Sequence, residues 1–140
     1  MAELIKYSFN FKIRFSEIDA MRVVWHGAYV KYFEDAREMF GEKFNLSYKM
    51  MEEHGYYAPI VDLSIQYKKP LRYDTEAEIT IIYHPTEAAK IVFDYEIKDR
   101  NNGDLIAIGH SIQVFINHKY ELVLQNPPFY EEWKKENVIL

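Results

Sequence analysis

The sequence predicts an α+β fold in which one long helix packs against a mainly antiparallel sheet. Two observations favour this class: several segments alternate apolar and polar side chains, and one segment has a wide aromatic face at helical spacing. The strand-like segments of the second half follow one another without the helices that parallel crossovers require. We expect the 140 residues to form one domain over residues 1–140.

The first half of the chain predicts one strand and two helices. Residues 7–15 alternate at period two, which is typical of a strand. Residues 29–42 place their aromatic and aliphatic side chains on one broad helical face, so this segment is expected to pack deeply against the sheet. A shorter helix is predicted over residues 47–54, ended by Gly55.

The second half predicts four further strands, which brings the sheet to five. Asn102-Gly103 supplies the residues that a tight hairpin turn prefers, between the last two of these strands. After Pro127-Pro128, residues 129–136 indicate a short surface helix. The four strands are predicted over residues 59–69, 76–83, 91–98 and 105–117.

Composition excludes several classes of function. The absence of cysteine excludes disulfides, thiolate nucleophiles and Cys-ligated metals, and no His, Asp or Glu spacing resembles a metal site. A net charge of −5 argues against nucleic acid, whose binding is driven by basic surface. No segment has the roughly 18 apolar residues of a membrane span, and residues 1–10 lack the apolar core of a secretory signal. We therefore expect a cytoplasmic protein without membrane insertion.

The connector between the first strand and the long helix carries the most specific pattern. The residues that carry a family pattern, in the connector and beyond it, are Asp19, Val23-Val24, His26, Tyr29, Tyr32-Phe33-Glu34-Asp35-Ala36-Arg37 and Tyr67-Lys68-Lys69-Pro70-Leu71. In this order and spacing the chain resembles the 4-hydroxybenzoyl-CoA thioesterase branch of the hot-dog superfamily, over residues 7–118. The resemblance implies a hot-dog fold, with a five-stranded antiparallel sheet wrapped around one long helix, and acyl-CoA thioesterase activity. Two positions depart from the family pattern: Arg22 stands where Gly is usual, and Ala28 where Asn is common.

Asp19 is the predicted catalytic carboxylate on chemical grounds as well. Thioester hydrolysis needs a nucleophile or a base that activates water, and the chain has neither Cys nor a Gly-x-Ser-x-Gly elbow. Both roles stay open for Asp19. The helix that begins near Gly27 points free N–H groups toward whatever precedes it, which suits an oxyanion. By resemblance the N–H of His26 is the leading donor, and its imidazole is expected to orient substrate or assist proton transfer.

Several other side chains are expected either to bind substrate or to have a structural or solvent-exposed role. The substrate-binding residues are expected to be Arg22, Val24, Trp25 and Tyr29. Arg22 is expected to take an ordinary backbone conformation or to carry strain, and to narrow or charge the pocket mouth. The cluster Lys68, Lys69 and Arg72 is either a solvated edge or a contact for the phosphates of CoA. Glu17 and Glu34 are expected to be solvated, and His110 to be a hydrogen-bonded core histidine.

The predicted reaction is hydrolysis of a small or medium acyl-CoA to free acid and CoA, without a cofactor. Acyl-carrier protein is the alternative thiol carrier. A hot-dog dehydratase or hydratase is a further alternative, but those enzymes carry a catalytic His on a differently patterned helix that is absent here. A non-catalytic dimeric acyl-ligand-binding protein is the third. An uncovered sheet edge and the resemblance together predict a homodimer or homotetramer with active sites at the subunit interface.

Overall fold

A seven-stranded antiparallel sheet and three helices make up the fold of residues 5–138, which the computed structural model describes. The order β1–β4–β5–β6 continues to β2 and β3, which lie end to end along the far side of β6, and β7 also pairs with β6. The strands are β1 (Ile5–Phe11), β2 (Tyr56–Tyr57), β3 (Ile60–Tyr67), β4 (Ala77–His84), β5 (Lys90–Asp99), β6 (Leu105–Asn117) and β7 (Leu122–Val123), and the helices are α1 (Ala28–Phe44), α2 (Tyr48–Glu53) and α3 (Pro128–Asn137).

The five long strands, the long helix and the antiparallel pairing confirm the predicted α+β class. The two-residue strands β2 and β7 were not predicted, because a pair of residues carries no periodic signal. No helix within the described residues has both the length and the apolar character that crossing a membrane requires.

The first strand ends earlier than its alternating sequence predicts. Pairing with β4 stops at Phe11, and Ile13 then turns into the core, where it is buried. Phe15 begins a 3₁₀ turn over Phe15–Glu17 and leaves 79% of its surface exposed. The strand prediction beyond residue 11 is therefore wrong, since the apolar spacing there serves one inward side chain and a turn.

Close approach of α1 to the sheet depends on a glycine in β6. The ring of Phe33 stacks on Tyr95 with centroids 4.3 Å apart, and it lies directly over Gly109. A Cβ on Gly109 would stand 2.4 Å from Phe33 Cε2, well inside van der Waals contact. Because Gly109 has no side chain, the aromatic face of the helix can pack directly on the sheet.

A buried guanidinium lies deeper in the same interface. Arg37 is 8% exposed, and its Nε and an Nη donate to the hydroxyls of Tyr48 and Tyr95 at 3.1 and 3.0 Å. The Tyr95 hydroxyl is in turn 2.6 Å from the hydroxyl of Ser111. Gln113, also buried, donates to the carbonyl of Ala58 at 2.8 Å. Hydroxyl and carbonyl oxygens therefore satisfy a polar cluster between helix and sheet.

Successive residues of β6 face α1 and the outer side of the sheet in turn. Because Gly109 faces the helix, alternation places His110 on the outer face, in phase with Ile108 and Ile112. The side chain of His110 is 40% exposed, and its Nδ1 lies 2.6 Å from Asp94 Oδ1. The predicted hydrogen bond is present, but the prediction of a core histidine is wrong.

Candidate active site

Asp19 lies at the centre of a folded connector between β1 and α1. Its main-chain N–H donates to the carbonyl of Val23 at 2.9 Å, and Ile18 and Val24 form an antiparallel bridge. Its Oδ1 accepts the N–H of Met21 at 2.8 Å, so the carboxylate also orders the turn that follows. The side chain is half-buried.

Arg22 carries backbone strain at the turn of this connector. Its φ is +64°, in the left-handed region that favours glycine, and its N–H donates to the carbonyl of Asp19 at 3.0 Å. Of the two expected conformations, the strained one is present. The cost for a residue with a Cβ is about 1–3 kcal/mol.

Glu17 fixes the connector to α1, contrary to the expectation that it is solvated. It is 5% exposed, and its Oε1 accepts the hydroxyl of Tyr32 at 2.7 Å and the N–H of Arg14 at 2.9 Å. Its Oε2 accepts the ammonium of Lys31 at 3.3 Å, and its carbonyl accepts the N–H of Trp25 at 2.9 Å. The prediction failed because a charged residue in a connector has no periodicity that reports burial.

The ionisation of Glu17 follows from these contacts. Burial by itself raises the pKa of this carboxyl, but the hydrogen bonds from Arg14, Tyr32 and Lys31 outweigh it and hold the pKa below the ordinary value of 4.5. A sequence signal did exist. Tyr32 was predicted on the buried helix face, and a buried tyrosine hydroxyl needs a polar partner.

The start of α1 presents a main-chain donor beside the connector. The carbonyl of Trp25 accepts the N–H of Ala28 at 3.0 Å, and the N–H of His26 belongs to the same peptide plane as that carbonyl. Carbonyl and N–H of a trans peptide point in opposite directions, so the His26 N–H is aimed away from the helix. Within residues 5–138 it has no hydrogen-bond acceptor, and the His26 side chain is exposed.

Tyr67, at the end of β3, holds this peptide segment from the other side. Its hydroxyl donates to the carbonyl of His26 at 2.7 Å. Its ring meets Tyr29 edge to face, with centroids 4.8 Å apart. Burial, with a smaller contribution from Tyr67, raises the pKa of the Tyr29 hydroxyl to about 12, so this group stays protonated at neutral pH. The motif contains Tyr67, but sequence alone does not assign it to the site.

The other predicted substrate-binding residues of the connector divide into buried and exposed side chains. Val24 and Tyr29 are buried, whereas much of Trp25 is exposed. The Trp25 ring lies across Gly27, where a Cβ would stand 2.1 Å from a ring carbon. Gly27 therefore leaves room for a flat aromatic surface next to His26.

The cationic cluster is split by the structure. Lys69 Nζ lies 2.9 Å from Asp104 Oδ2, so this ammonium is engaged with a carboxylate. Lys68 is exposed near the end of β3. Arg72 and Arg22 line the same cleft, because the N–H of Val24 donates to the carbonyl of Leu71 at 2.8 Å and joins the two loops.

The described residues of one chain do not enclose Asp19 and His26. Neither side chain is among the lining residues of five surface clefts within residues 5–138. Within this part of the chain, no three His, Asp or Glu side chains are grouped as a metal site would require. The site is an open surface formed by the connector, the start of α1 and the end of β3.

The family model of the Thioesterase-like superfamily matches residues 13–135. The chain belongs to this superfamily. A solved structure of DHNA-CoA thioesterase from Staphylococcus aureus superposes with a TM-score of 0.80 at 26% identity, over 95% of this chain and 89% of that one. Family and superposition confirm the hot-dog fold and the resemblance stated from the motif.

The names of two relatives of this chain refer to different thiol carriers, CoA in one and acyl-carrier protein in the other. YneP of Bacillus subtilis, to which its name assigns a proposed acyl-CoA thioesterase activity, is 33% identical over 86 residues, 61% of this chain and 62% of that protein. The chloroplastic acyl-acyl carrier protein thioesterase ATL3 of Arabidopsis thaliana is 28% identical over 112 residues, 80% of this chain and 59% of that protein. The chain thus matches less than two thirds of the length of either relative.

Proposed function

We propose that this protein hydrolyses the thioester of a small or medium acyl-CoA to the free acid and CoA. The observation that carries the proposal is that one connector holds both the Asp19 carboxylate, in an ordered turn, and a His26 N–H that has no acceptor in the described residues and is aimed away from the start of α1. Family membership and the names of the relatives support the same reaction class.

Asp19 acts as general base or as nucleophile on the thioester carbonyl. As a base it takes a proton from water while the oxygen of that water bonds to the carbonyl carbon. The tetrahedral intermediate then expels the CoA thiolate, which takes this proton from Asp19 to give the thiol and restores the carboxylate. As a nucleophile its carboxylate forms a mixed anhydride and releases CoA first, and water then hydrolyses the anhydride. The hydrogen bond that the carboxylate accepts from the Met21 N–H keeps it in one orientation for either route.

The oxyanion that forms in either route needs a donor, and the His26 N–H fits. It precedes the first turn of α1, where the helix dipole also favours negative charge. The Tyr67 hydroxyl bound to the His26 carbonyl restrains the segment, so the donor does not have to be ordered during reaction. The His26 imidazole stands next to the site and orients substrate or transfers a proton.

A homo-oligomer, dimer or tetramer, completes the site in this proposal. Strand β3 pairs with β6 alone in the described residues, which leaves an eight-residue edge with Val61 and Tyr67 exposed. Such edges are normally paired or covered, and a second copy of β3 would extend the sheet. Because Tyr67 also binds His26, the same edge would bring the partner to the open side of the site.

The test is hydrolysis of an acyl-CoA series by wild type, Asp19→Asn and Glu34→Gln, monitored by thiol release. Glu34 is an exposed carboxylate on α1 and serves as the matched control. We expect Asp19→Asn to lose roughly 10²–10⁴ in kcat with an unchanged fold, and Glu34→Gln to behave as wild type. Retention of more than about a tenth of kcat by Asp19→Asn would contradict the assignment.

An acyl-carrier-protein substrate is the second candidate, favoured by the likeness to ATL3 over 80% of this chain. Parallel assays with the same acyl group on CoA and on carrier protein separate the two. A higher kcat/KM for the CoA ester supports the proposal. Light scattering tests the oligomer: an active species of 16.8 kDa, the mass of one chain, would refute a shared site.

A further inference from the structure

Three polar side chains form one row on the face of the sheet that points away from α1. Asp94 of β5 pairs with His110 of β6, and His110 pairs in turn with Ser64 of β3. Directly paired residues of antiparallel strands place their side chains on the same face, with Cβ atoms about 4.5–5.5 Å apart. The row therefore brings together a carboxylate, an imidazole and a hydroxyl, none of which belongs to the Asp19 site.

The hydrogen bonds of Asp94 determine which nitrogen of His110 is basic. Asp94 Oδ1 lies 2.6 Å from His110 Nδ1, and a carboxylate only accepts hydrogen bonds, so Nδ1 carries the proton. In the neutral imidazole the other nitrogen, Nε2, is then unprotonated and can accept a proton. Asp94 Oδ2 is 2.6 Å from His84 Nε2, so a second imidazole holds the same carboxylate. Asp94 and His110 thus have the arrangement in which an acid orients a general base.

The Ser64 hydroxyl is available as the nucleophile for this base. Ser64 is exposed, and its hydroxyl forms no hydrogen bond within the described residues, so it can rotate toward Nε2 of His110. Catalytic hydrogen bonds often close only when substrate binds. Ser8, an exposed serine on the same face, is instead bound to the Thr80 hydroxyl at 2.7 Å. Pairing of β3 with a second copy would use main-chain groups of the edge, so Ser64 would stay accessible.

The row borders a cleft that also contains a donor for an oxyanion. Ser64, His110 and Asp94 all line this cleft, whose volume is about 260 Å³. Gln66 lies two residues after Ser64 on the same face of β3 and lines the cleft as well. A side-chain amide of this kind can donate a hydrogen bond to the oxygen that becomes negative when an ester carbonyl is attacked.

The charge and polarity of the cleft indicate which esters fit it. No lysine or arginine is among its lining residues in the described part of the chain, whereas Asp94 and Glu96 are. Lys98, whose ammonium lies 3.5 Å from Glu96, offsets one of these two charges. Ile82 and Ile108 supply apolar surface. The cleft therefore offers nothing to bind the phosphates of CoA and suits a small uncharged ester.

We propose that this row is a second hydrolytic site, at which Ser64 attacks small uncharged carboxylic esters with His110 as general base. The Ser64 oxygen bonds to the carbonyl carbon while its proton passes to Nε2 of His110. The tetrahedral intermediate expels the alcohol, which takes that proton, and the acyl group stays on Ser64. Water then gives a proton to the same nitrogen and attacks the acyl group, and the acid leaves as Ser64 recovers its proton. Asp94 positions the imidazole in both halves of the reaction.

The first experiment labels the activated serine in Asp19→Asn, chosen so that the thioester site does not contribute. Diisopropyl fluorophosphate forms a phosphorus–oxygen bond with such a serine and releases fluoride, and peptide mass spectrometry locates the adduct. We expect it on Ser64 and not on Ser8, which lies opposite Thr80 and serves as the internal control. His110→Phe should slow the labelling roughly 100-fold. Equal labelling of the two serines, or no adduct on Ser64, would overturn the proposal.

Hydrolysis of p-nitrophenyl acetate measures turnover at the same site. Ser64→Ala should lose this activity and keep wild-type hydrolysis of acyl-CoA, because Ser64 takes no part in the Asp19 site. Asp94→Asn should lower kcat roughly 100-fold with little change in KM, since Asp94 acts on the base and not on the ester.

The two substrates also separate failure of this inference from failure of the proposed function. Ester hydrolysis that depends on Ser64, in a protein that does not hydrolyse acyl-CoA, would support the second site and refute the thioesterase. Acyl-CoA hydrolysis together with an ester hydrolysis rate that is unchanged in Ser64→Ala would overturn the second site alone.

Discussion

Removal of the Tyr32 hydroxyl isolates the contact that holds the Asp19 connector on α1. Tyr32→Phe keeps the ring and its packing on Phe11, 4.6 Å away between centroids, and deletes only the donor to Glu17. A hydrogen bond to a charged group contributes about 1.5–3 kcal/mol, and the remaining partners Arg14 and Lys31 still bind the carboxylate. We therefore expect a loss of about 2 kcal/mol at pH 7 and a decrease in Tm of roughly 5–10 °C.

The pH dependence of this loss follows from the depressed pKa of Glu17. A carboxyl whose folded pKa lies below its unfolded value stabilises the protein above the unfolded pKa, here about 4.5, and loses that contribution as pH falls through the folded value. Removing the Tyr32 donor raises the folded pKa toward the unfolded one. The difference between wild type and Tyr32→Phe should therefore be full at pH 7 and should shrink below pH 4.5.

Urea unfolding of both proteins between pH 3 and pH 7 provides the assay, with thiol release at 20 °C as the second measurement. Tyr29→Phe is the matched stability control, because the Tyr29 hydroxyl has no acceptor among the described residues. A loosened connector should lower kcat roughly 10-fold in Tyr32→Phe while the protein remains folded. A loss of stability that equals that of Tyr29→Phe, or that does not change with pH, would refute the role given to Glu17.

Three further substitutions test the surrounding geometry. His26→Ala should lower kcat by less than about 10-fold, since the main-chain donor survives; thiol-release kinetics check this, and a loss as large as that of Asp19→Asn would make the imidazole essential. Tyr67→Phe should reduce kcat several-fold with a stability loss of only about 0.5–1.5 kcal/mol in urea unfolding, and unchanged kcat would remove Tyr67 from the site. Gly109→Ala should destabilise by about 1–3 kcal/mol, because its Cβ meets the Phe33 ring at 2.4 Å, and a stabilised variant would contradict the packing.

The elements that could be predicted from sequence are those whose pattern of apolar and polar residues has a regular period over many residues. Strand β6 was predicted with its observed bounds, Leu105–Asn117, and α1 with its aromatic face, since each shows many turns of one period. The end of β1 was not predictable in this way. Residues 12–15 continue the alternation, yet Ile13 enters the core and Phe15 faces solvent, because a turn can reproduce a strand pattern for a few residues.

The candidate site was predicted where its residues are close in sequence, and missed where tertiary contacts bring them together. Asp19 and His26 share one connector, so order and spacing sufficed to select them. Glu17 was misjudged, and Tyr67 was left without a role, because the contacts that define them come from α1 and from the end of β3. Local sequence does not encode which distant hydroxyl reaches a connector.

The buried guanidinium of Arg37 has a consequence for how the reaction centre keeps its place. An apolar helix face can shift along a sheet with small changes in energy. The Arg37 guanidinium, however, is hydrogen-bonded only when it lies beside the Tyr48 and Tyr95 hydroxyls. A shift of α1 by one turn, about 5.4 Å, would leave the guanidinium without hydrogen-bond partners in an apolar layer. The first residue of the helix, Ala28, lies nine positions before Arg37, or about 14 Å along the axis. The buried contacts of Arg37 therefore fix the position of the start of α1, although Arg37 itself lies far from that end of the helix.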